Sequence, residues 1–285
     1  MADTHVLMQR KPSMATLPDI DWLPVAELDV DYSYQHRPYA SAIDALNKDF
    51  REAHSGFILV NRRADGSLWI VDGQTRHAVH KLRNLRWIRA EMLHGFTQAE
   101  EAEVYLLKCI NATRMLVDFF LAEFIAQRPV AVLIHTILGK HGIAIESYAT
   151  SHHHRHASVP VVSCVTTLKR MIGKDPSGAT LQMVLEIIKD TWDLNQSTMT
   201  SVFLDALHKI FIVHGHDIDR KSFAAKLGAH RPEDLREQAM LLRLGTLPLL
   251  SVGTALQRVF IDLYNSGRPQ PRRITLGSQG NSKTL

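Results

Sequence analysis

The sequence predicts an α+β protein in which a small α/β domain precedes a larger all-α domain. Three observations carry this. Between Leu17 and Glu91, short β-rich runs alternate with amphipathic helical runs. From Thr97 to about Asn265, apolar residues recur at helical spacing, and Gly or Pro punctuates most of the joins. The 285 residues are 45% hydrophobic, long enough for two domains or one large one and apolar enough for a proper core. The textures divide the chain into a loose tail (1–16), an α/β domain (17–112), a helical domain (113–266) and a basic, Pro/Gly/Ser-rich flexible tail (267–285).

Each element follows from its own pattern. "WLPVAELDVD" alternates as one strand, with Val25, Leu28 and Val30 as its apolar members. "SAIDALNKDFR" puts Ile43, Leu46 and Phe50 on one helical face, with Ser41 as N-cap. "GFILVNRR" and "SLWIVD" are strands joined through Asp65-Gly66, a hairpin signal. "TRHAVHKLRNL" is a helix with Ala78, Val79 and Leu82 facing in, and "RWIRAEML" is a further strand. Thr97 with Glu100 three residues on forms a capping box for the next helix. Helices are then expected over 114–127, 129–141, 159–172, 178–192, 198–214, 220–228, 232–244 and 250–265.

Bulk properties narrow the function classes. A formal charge of +4 leans toward an anionic partner. Two cysteines, Cys109 and Cys164, each in apolar context, argue against a disulfide framework and for a reducing, cytoplasmic setting. No apolar run resembles a signal peptide, and the longest, Val130 to Leu138, is too short to cross a bilayer, so no membrane role is expected.

The chemistry centres on "LWIVDGQTRHAV". A strand ends at Gly73 and a helix starts near Thr75, so the unpaired N–H groups of its first turn attract anions, phosphate above all. Gly73 allows close backbone approach, and Arg76 offers a fork of donors. An ordinary strand–turn–helix join with a surface arginine accounts for the same residues.

The wider pattern resembles the N-terminal domain of the ParB family, within the ParB/sulfiredoxin-like fold. Tyr34-Gln35-His36-Arg37 looks like that family's Tyr-Gln-x-Arg element. Asp72-Gly73-Gln74-Thr75-Arg76 stands where the family has its Gly-Glu-Arg-Arg phosphate turn, and Asn111-Ala112-Thr113-Arg114 where it has Asn-x-x-Arg. The resemblance implies binding of a nucleoside triphosphate, CTP by preference, with Mg²⁺, and DNA as a partner. It assigns the phosphates to Gly73, Gln74, Thr75 and Arg76, closure to Asn111 and Arg114, and hydrolytic assistance to Gln35 and Arg37. Asp72 is the candidate Mg²⁺ ligand. Gln74 and Thr75 replace the family's Glu and first Arg. This Asp-Gly-Gln-x-Arg form is similar to divergent ParB-like proteins of phages and mobile elements, many of them labelled nucleases. The expected function is a ParB-like nucleotide- and DNA-associated protein with slow triphosphatase or nuclease activity. The alternative is a non-catalytic DNA-binding or scaffold protein with a degenerate pocket. The helical part is expected to supply self-association, as a homodimer, or DNA contact.

Further candidates carry two readings each. Basic residues cluster at Arg62-Arg63, from Arg76 to Arg89 (with His77, His80, Lys81, Arg83 and Arg86) and in the tail at Arg268, Arg272 and Arg273; the run just past the phosphate turn is a nucleic-acid face or a solvated helix surface. "SHHHRHAS" (151–158) is an exposed basic loop or a metal ligand cluster. His214, His216 and Asp217 read as a helix C-cap or part of a metal site. Residues 223–242 read as a helical hairpin or a helix-turn-helix, and Glu233, Asp234 and Glu237 would repel phosphates from the latter.

Overall fold

The computed structural model describes residues 19–52, 55–108, 116–145, 160–246 and 248–276. Cys109, Asn111, Arg114, the histidine cluster at 151–158 and both chain ends lie outside the described residues. The chain divides into two compact units, Met1–Arg114 with Leu121–Gln127, and Met115–Phe120 with Arg128–Leu285. The architecture is α+β, as the textures predict: a five-stranded sheet in the first unit and predominantly helices in the second.

The first unit runs β1 (Ile20–Pro24), a 3-10 turn (Val25–Glu27), β2 (Leu28–Val30), α1 (Ala40–Lys48), β3 (Ile58–Arg62), β4 (Leu68–Asp72), α2 (Gln74–Leu82), β5 (Trp87–His94) and α3 (Gln98–Lys108). The sheet order is β1-β5-β3-β4-β2, with β1–β5 and β3–β4 antiparallel and the other two pairs parallel. The single strand expected over 22–31 is therefore two strands at opposite edges. A flat sheet would set those edges about 19 Å apart, whereas three 3-10 residues rise only about 6 Å. The sheet must curl strongly to close that gap. Leu23, Val25 and Leu28 consequently meet Ile58, Val60, Ile70, Ile88, Ala90 and Met92 in one core.

The hairpin forms as expected. Arg63 N–H donates to Ser67 O at 3.0 Å, Gly66 takes φ 87°, and the Asp65 carboxylate accepts from Ser67 N and Oγ. The Thr97–Glu100 box also forms, at 2.8 and 3.3 Å. Two helix details differ from expectation. Ser41 does not cap α1, whose N-cap is Tyr39 with no side-chain bond. On α2 the inward residues are Gln74, His77, Val79 and His80, while Leu82 is exposed. The two histidines are tolerated because backbone carbonyls meet them: His77 Nε2 lies 3.0 Å from Val25 O and His80 Nδ1 2.8 Å from Arg76 O.

The second unit contains α5 (Pro129–Lys140), α6 (Val165–Lys174), α7 (Ala179–Trp192), α8 (Ser201–His214), α9 (Arg220–Gly228), α10 (Pro232–Leu244) and α11 (Val252–Asn265); α4 (Leu116–Ile125) is shared between the units. It is not wholly helical. Ala144–Ile145 pairs in parallel with Val161–Val162, so the helix expected from 159 starts only at Val165. Its core gathers Trp192, Phe203 and Phe260, and beside them Phe211, Phe223 and Tyr264, in ring contacts of 5.3–6.1 Å. Residues 268–276, expected in a flexible tail, pack back on α11: Arg268 stacks 3.9 Å from the Tyr264 ring centre, and Asn265 exchanges two hydrogen bonds with Ile274. No single helix among the described residues is long and apolar enough to cross a membrane.

Candidate functional site

The join between β4 and α2 is built around Gly73. Its φ of 99° is left-handed, and a Cβ there would come within 2.5 Å of Ile58 Cγ2 and 3.1 Å of Arg76 Nη2. Only glycine fits both the backbone and the space. The first turn of α2 has no side-chain cap and no acidic residue, so its N–H groups and partial positive charge face whatever approaches.

Arg76 folds back over this glycine. Its Nη2 lies 3.2 Å from Asp72 Oδ2, and its Nη1 donates to the Phe57 carbonyl. Asp72, the candidate metal ligand, is thus paired with the candidate phosphate ligand.

Gln35 and Gln74, distant in sequence, meet in the interior and are 4% and 8% exposed. Gln35 Nε2 donates to Ile70 O at 2.6 Å, which turns its Oε1 toward Gln74 Nε2 at 3.4 Å. A carbonyl partner fixes the first amide, and the first amide fixes the second. Gln74 Oε1 is left buried without a partner, an acceptor open to a donor. Thr75 is half-buried. Arg37 does not join this pair: it is exposed, 5.1 Å above the Tyr32 ring.

Of the basic face, Arg62, Lys81, Arg83 and Arg86 are exposed. Arg83 is tied to Asn47 at 2.7 and 2.6 Å. His77 and His80 do not belong to that face, because both are buried; burial lowers the His77 pKa and keeps its ring neutral. Arg63 is spent internally. Its guanidinium donates to Glu101 at 2.9 and 2.6 Å and to Asp31 at 2.8 Å, and stacks 4.2 Å from the Trp69 ring centre.

Glu101 is the residue that sequence reasoning missed. It is fully buried and also accepts from Asn61 Nδ2 at 2.6 Å and Tyr34 Oη at 3.1 Å. Burial, and then the Glu101 charge, push the Tyr34 hydroxyl far above its usual range. Burial opposes ionisation of Asp31, but hydrogen bonds from Arg63, Ser33 and Gln98 outweigh it and pull its pKa down. The available signal was position: Glu101 precedes Ala102 and stands four residues before Tyr105, on the inward stripe of α3.

Among the described residues no three metal-ligating side chains converge, at His214–Asp217 or elsewhere. His214 Nε2 instead lies 2.7 Å from Thr275 O. In the 223–242 segment, Phe223, Leu227, Leu235 and Ala239 are buried, and the first turn of α10 carries Glu233 and Asp234; α9 packs on α7 and α11 and α10 on α11, rather than on each other as the expected hairpin.

No protein-family model matches the chain, and no curated protein does. Solved structures do. The chromosome-partitioning protein ParB from Caulobacter crescentus, C-terminally truncated and complexed with CTP-gamma-S, is 12% identical, with 77% of this chain and 98% of that chain covered, at a TM-score of 0.29. The same protein complexed to the centromeric parS site is 15% identical over 84% and 98%, at 0.32. A Pnob8-like ParB-N domain is 16% identical over 85% and 97%, at 0.35. These matched structures are ParB proteins and a ParB N-domain.

Proposed function

We propose that the first unit binds the phosphates of a nucleoside triphosphate at the N-terminus of α2, and that the chain associates with DNA. The observation that carries this is the uncapped first turn of α2 behind Gly73, with the Arg76 guanidinium already folded over it. Backbone N–H groups and a bidentate fork then converge on one anion-sized position. The motif order through Gln35, Arg76 and the Asn111–Arg114 segment resembles ParB and points to CTP.

Binding requires Arg76 to exchange Asp72 and the Phe57 carbonyl for phosphate oxygens. Asp72, so released, would be one hard oxygen ligand for Mg²⁺. The buried Gln74 Oε1 would accept from a donor on the ligand. Gln35 is buried, with its Nε2 held by Ile70 O and its Oε1 facing Gln74, so in this reading it positions Gln74.

The test is a melting curve of the whole chain with each of the four ribonucleoside triphosphates and Mg²⁺ at low salt. One nucleotide at a hundredfold excess over its Kd should raise the transition of the first unit by roughly 10 °C. Arg76→Ala should abolish that rise. A second reading, a scaffold whose pocket no longer takes nucleotide, is favoured by the commitment of Arg76 to Asp72 and by the uncharged Gln74. No shift with any nucleotide, or an unchanged shift in Arg76→Ala, decides against the phosphate-turn assignment.

A further inference from the structure

The curled sheet has an outer surface that the phosphate turn does not use. Along β1 and β5 the side chains alternate: Leu23, Ile88, Ala90 and Met92 turn into the core, and Trp22, Trp87 and Arg89 turn out. Trp22 and Trp87 are each 50% exposed, and Phe57, next to β3, is 37% exposed. Trp22 stands opposite Arg89 in the ladder. The Arg89 guanidinium lies 5.7 Å from the Trp22 ring centre and 4.3 Å from that of Phe57, between two aromatic side chains. Trp87 also walls a groove of about 570 Å³, into which Lys81 and Arg86 project from the C-terminal end of α2 and the loop after it.

Among the described residues, no carboxylate stands within ion-pair distance of Lys81, Arg86 or Arg89. Their acidic neighbours are Glu27 in the groove and Glu91, opposite Ile20. Exposed ring faces interleaved with unpaired cations match a ligand of planar π-systems joined by negative charges. Spacing selects the form of that ligand. Trp22 and Trp87 are diagonal neighbours across an antiparallel pair, about 7–8 Å apart. Ring faces exposed at separate positions take unpaired bases, which a duplex keeps stacked inside, so the form that fits is a single strand.

We propose that this face binds single-stranded nucleic acid, with bases on Trp22 and Trp87 and phosphates on Lys81, Arg86 and Arg89. This deepens the nucleic-acid part of the reading above and is independent of its nucleotide part.

The test is a titration of the whole chain, without nucleotide, with an oligothymidine of about twelve nucleotides, followed by tryptophan fluorescence. Quenching is expected. Trp22→Leu and Trp87→Leu keep an apolar side chain but lose the ring face, and each should weaken binding about tenfold. Arg89→Gln, which spares both tryptophans, should weaken binding and flatten its salt dependence. Unchanged affinity in the double leucine variant, once its melting curve shows it folded, overturns the proposal. So does a duplex of the same length competing equally well. Failure to bind the oligonucleotide, with self-association that the leucine substitutions abolish, would assign the face to a second copy of the chain instead. The nucleotide reading is tested by melting without oligonucleotide, so the two readings fail separately.

Discussion

Glu101 has the strongest claim to a structural role of any single residue. One carboxylate satisfies an arginine fork, an amide and a phenol in the interior, joining α3 to β3 and to the chain after β2. Removing it leaves a half-buried guanidinium with only Asp31, and strands the Tyr34 hydroxyl and the one Asn61 N–H that does not go to Phe96 O. Glu101→Ala should therefore cost about 3–5 kcal/mol, the range for breaking a buried pair from one side. Glu101→Gln should cost less, because an amide oxygen still accepts. Denaturant unfolding of the two variants checks both the size and the order. The network was illegible in the sequence because its members stand at 31, 34, 61, 63 and 101, and no local period links them. Glu100, by contrast, was legible, since a capping box is a spacing of three.

At the scale of elements, the β4–α2 join decides the candidate site. Gly73→Ala forces a left-handed φ on a residue with a Cβ and drives that Cβ into Ile58. The expected destabilisation is about 1–3 kcal/mol, measured by chemical denaturation, with loss of any nucleotide-induced melting shift beyond what stability alone explains. The strand–glycine–helix order was readable because glycine after an apolar run and before a helical period is local information. The division of residues 20–30 into two edge strands was not. The alternation slips by one position between Val25 and Leu28, which by itself fits a kink within one strand; the pairing of β1 with β5 and of β2 with β4 sends the halves to opposite edges. The inward face of α2 was misjudged for a related reason: hydropathy favoured Leu82, but carbonyls of the folded chain accommodate His77 and His80.

For the whole molecule, the testable property is its response to acid. Burial, and secondarily the Lys174 charge, push the His208 pKa down to about 4 in the second unit, and its Nε2 has no hydrogen-bond partner. Burial lowers His77 in the first unit as well. A histidine whose folded pKa is depressed binds its proton more readily when unfolded. The stability it contributes is complete above the unfolded value of about 6.5 and is lost as pH falls toward the folded value. For His208 that window is pH 6.5 to about 4, and the loss is at most about 3 kcal/mol. Asp31 and Asp175 give a second, lower window. Hydrogen bonds outweigh the burial that opposes them, and Asp175 falls to about 2, so their contribution disappears below the usual carboxylate value. Stability measured from pH 7 to 3 should decline in these two stages, and His208→Leu should flatten the first for the second unit. A decline confined to pH below 4 would show that the buried histidines carry no penalty.

By itself, the sequence determined the α+β class, the change from mixed to helical texture, the Asp65-Gly66 hairpin, the Thr97 cap, most helix spans and the glycine at the β4–α2 join. All of these rest on residues close in the chain, where period, φ preference and capping geometry act directly. Tertiary structure alone decided that Gln35 meets Gln74, that Arg63 is spent on Glu101 and Asp31, that two of the basic-face residues are buried histidines, and that Trp22, Arg89 and Phe57 line up across β1, β5 and the residue before β3. Those outcomes depend on strand order and register, which bring together residues tens of positions apart and leave no periodic trace in the chain.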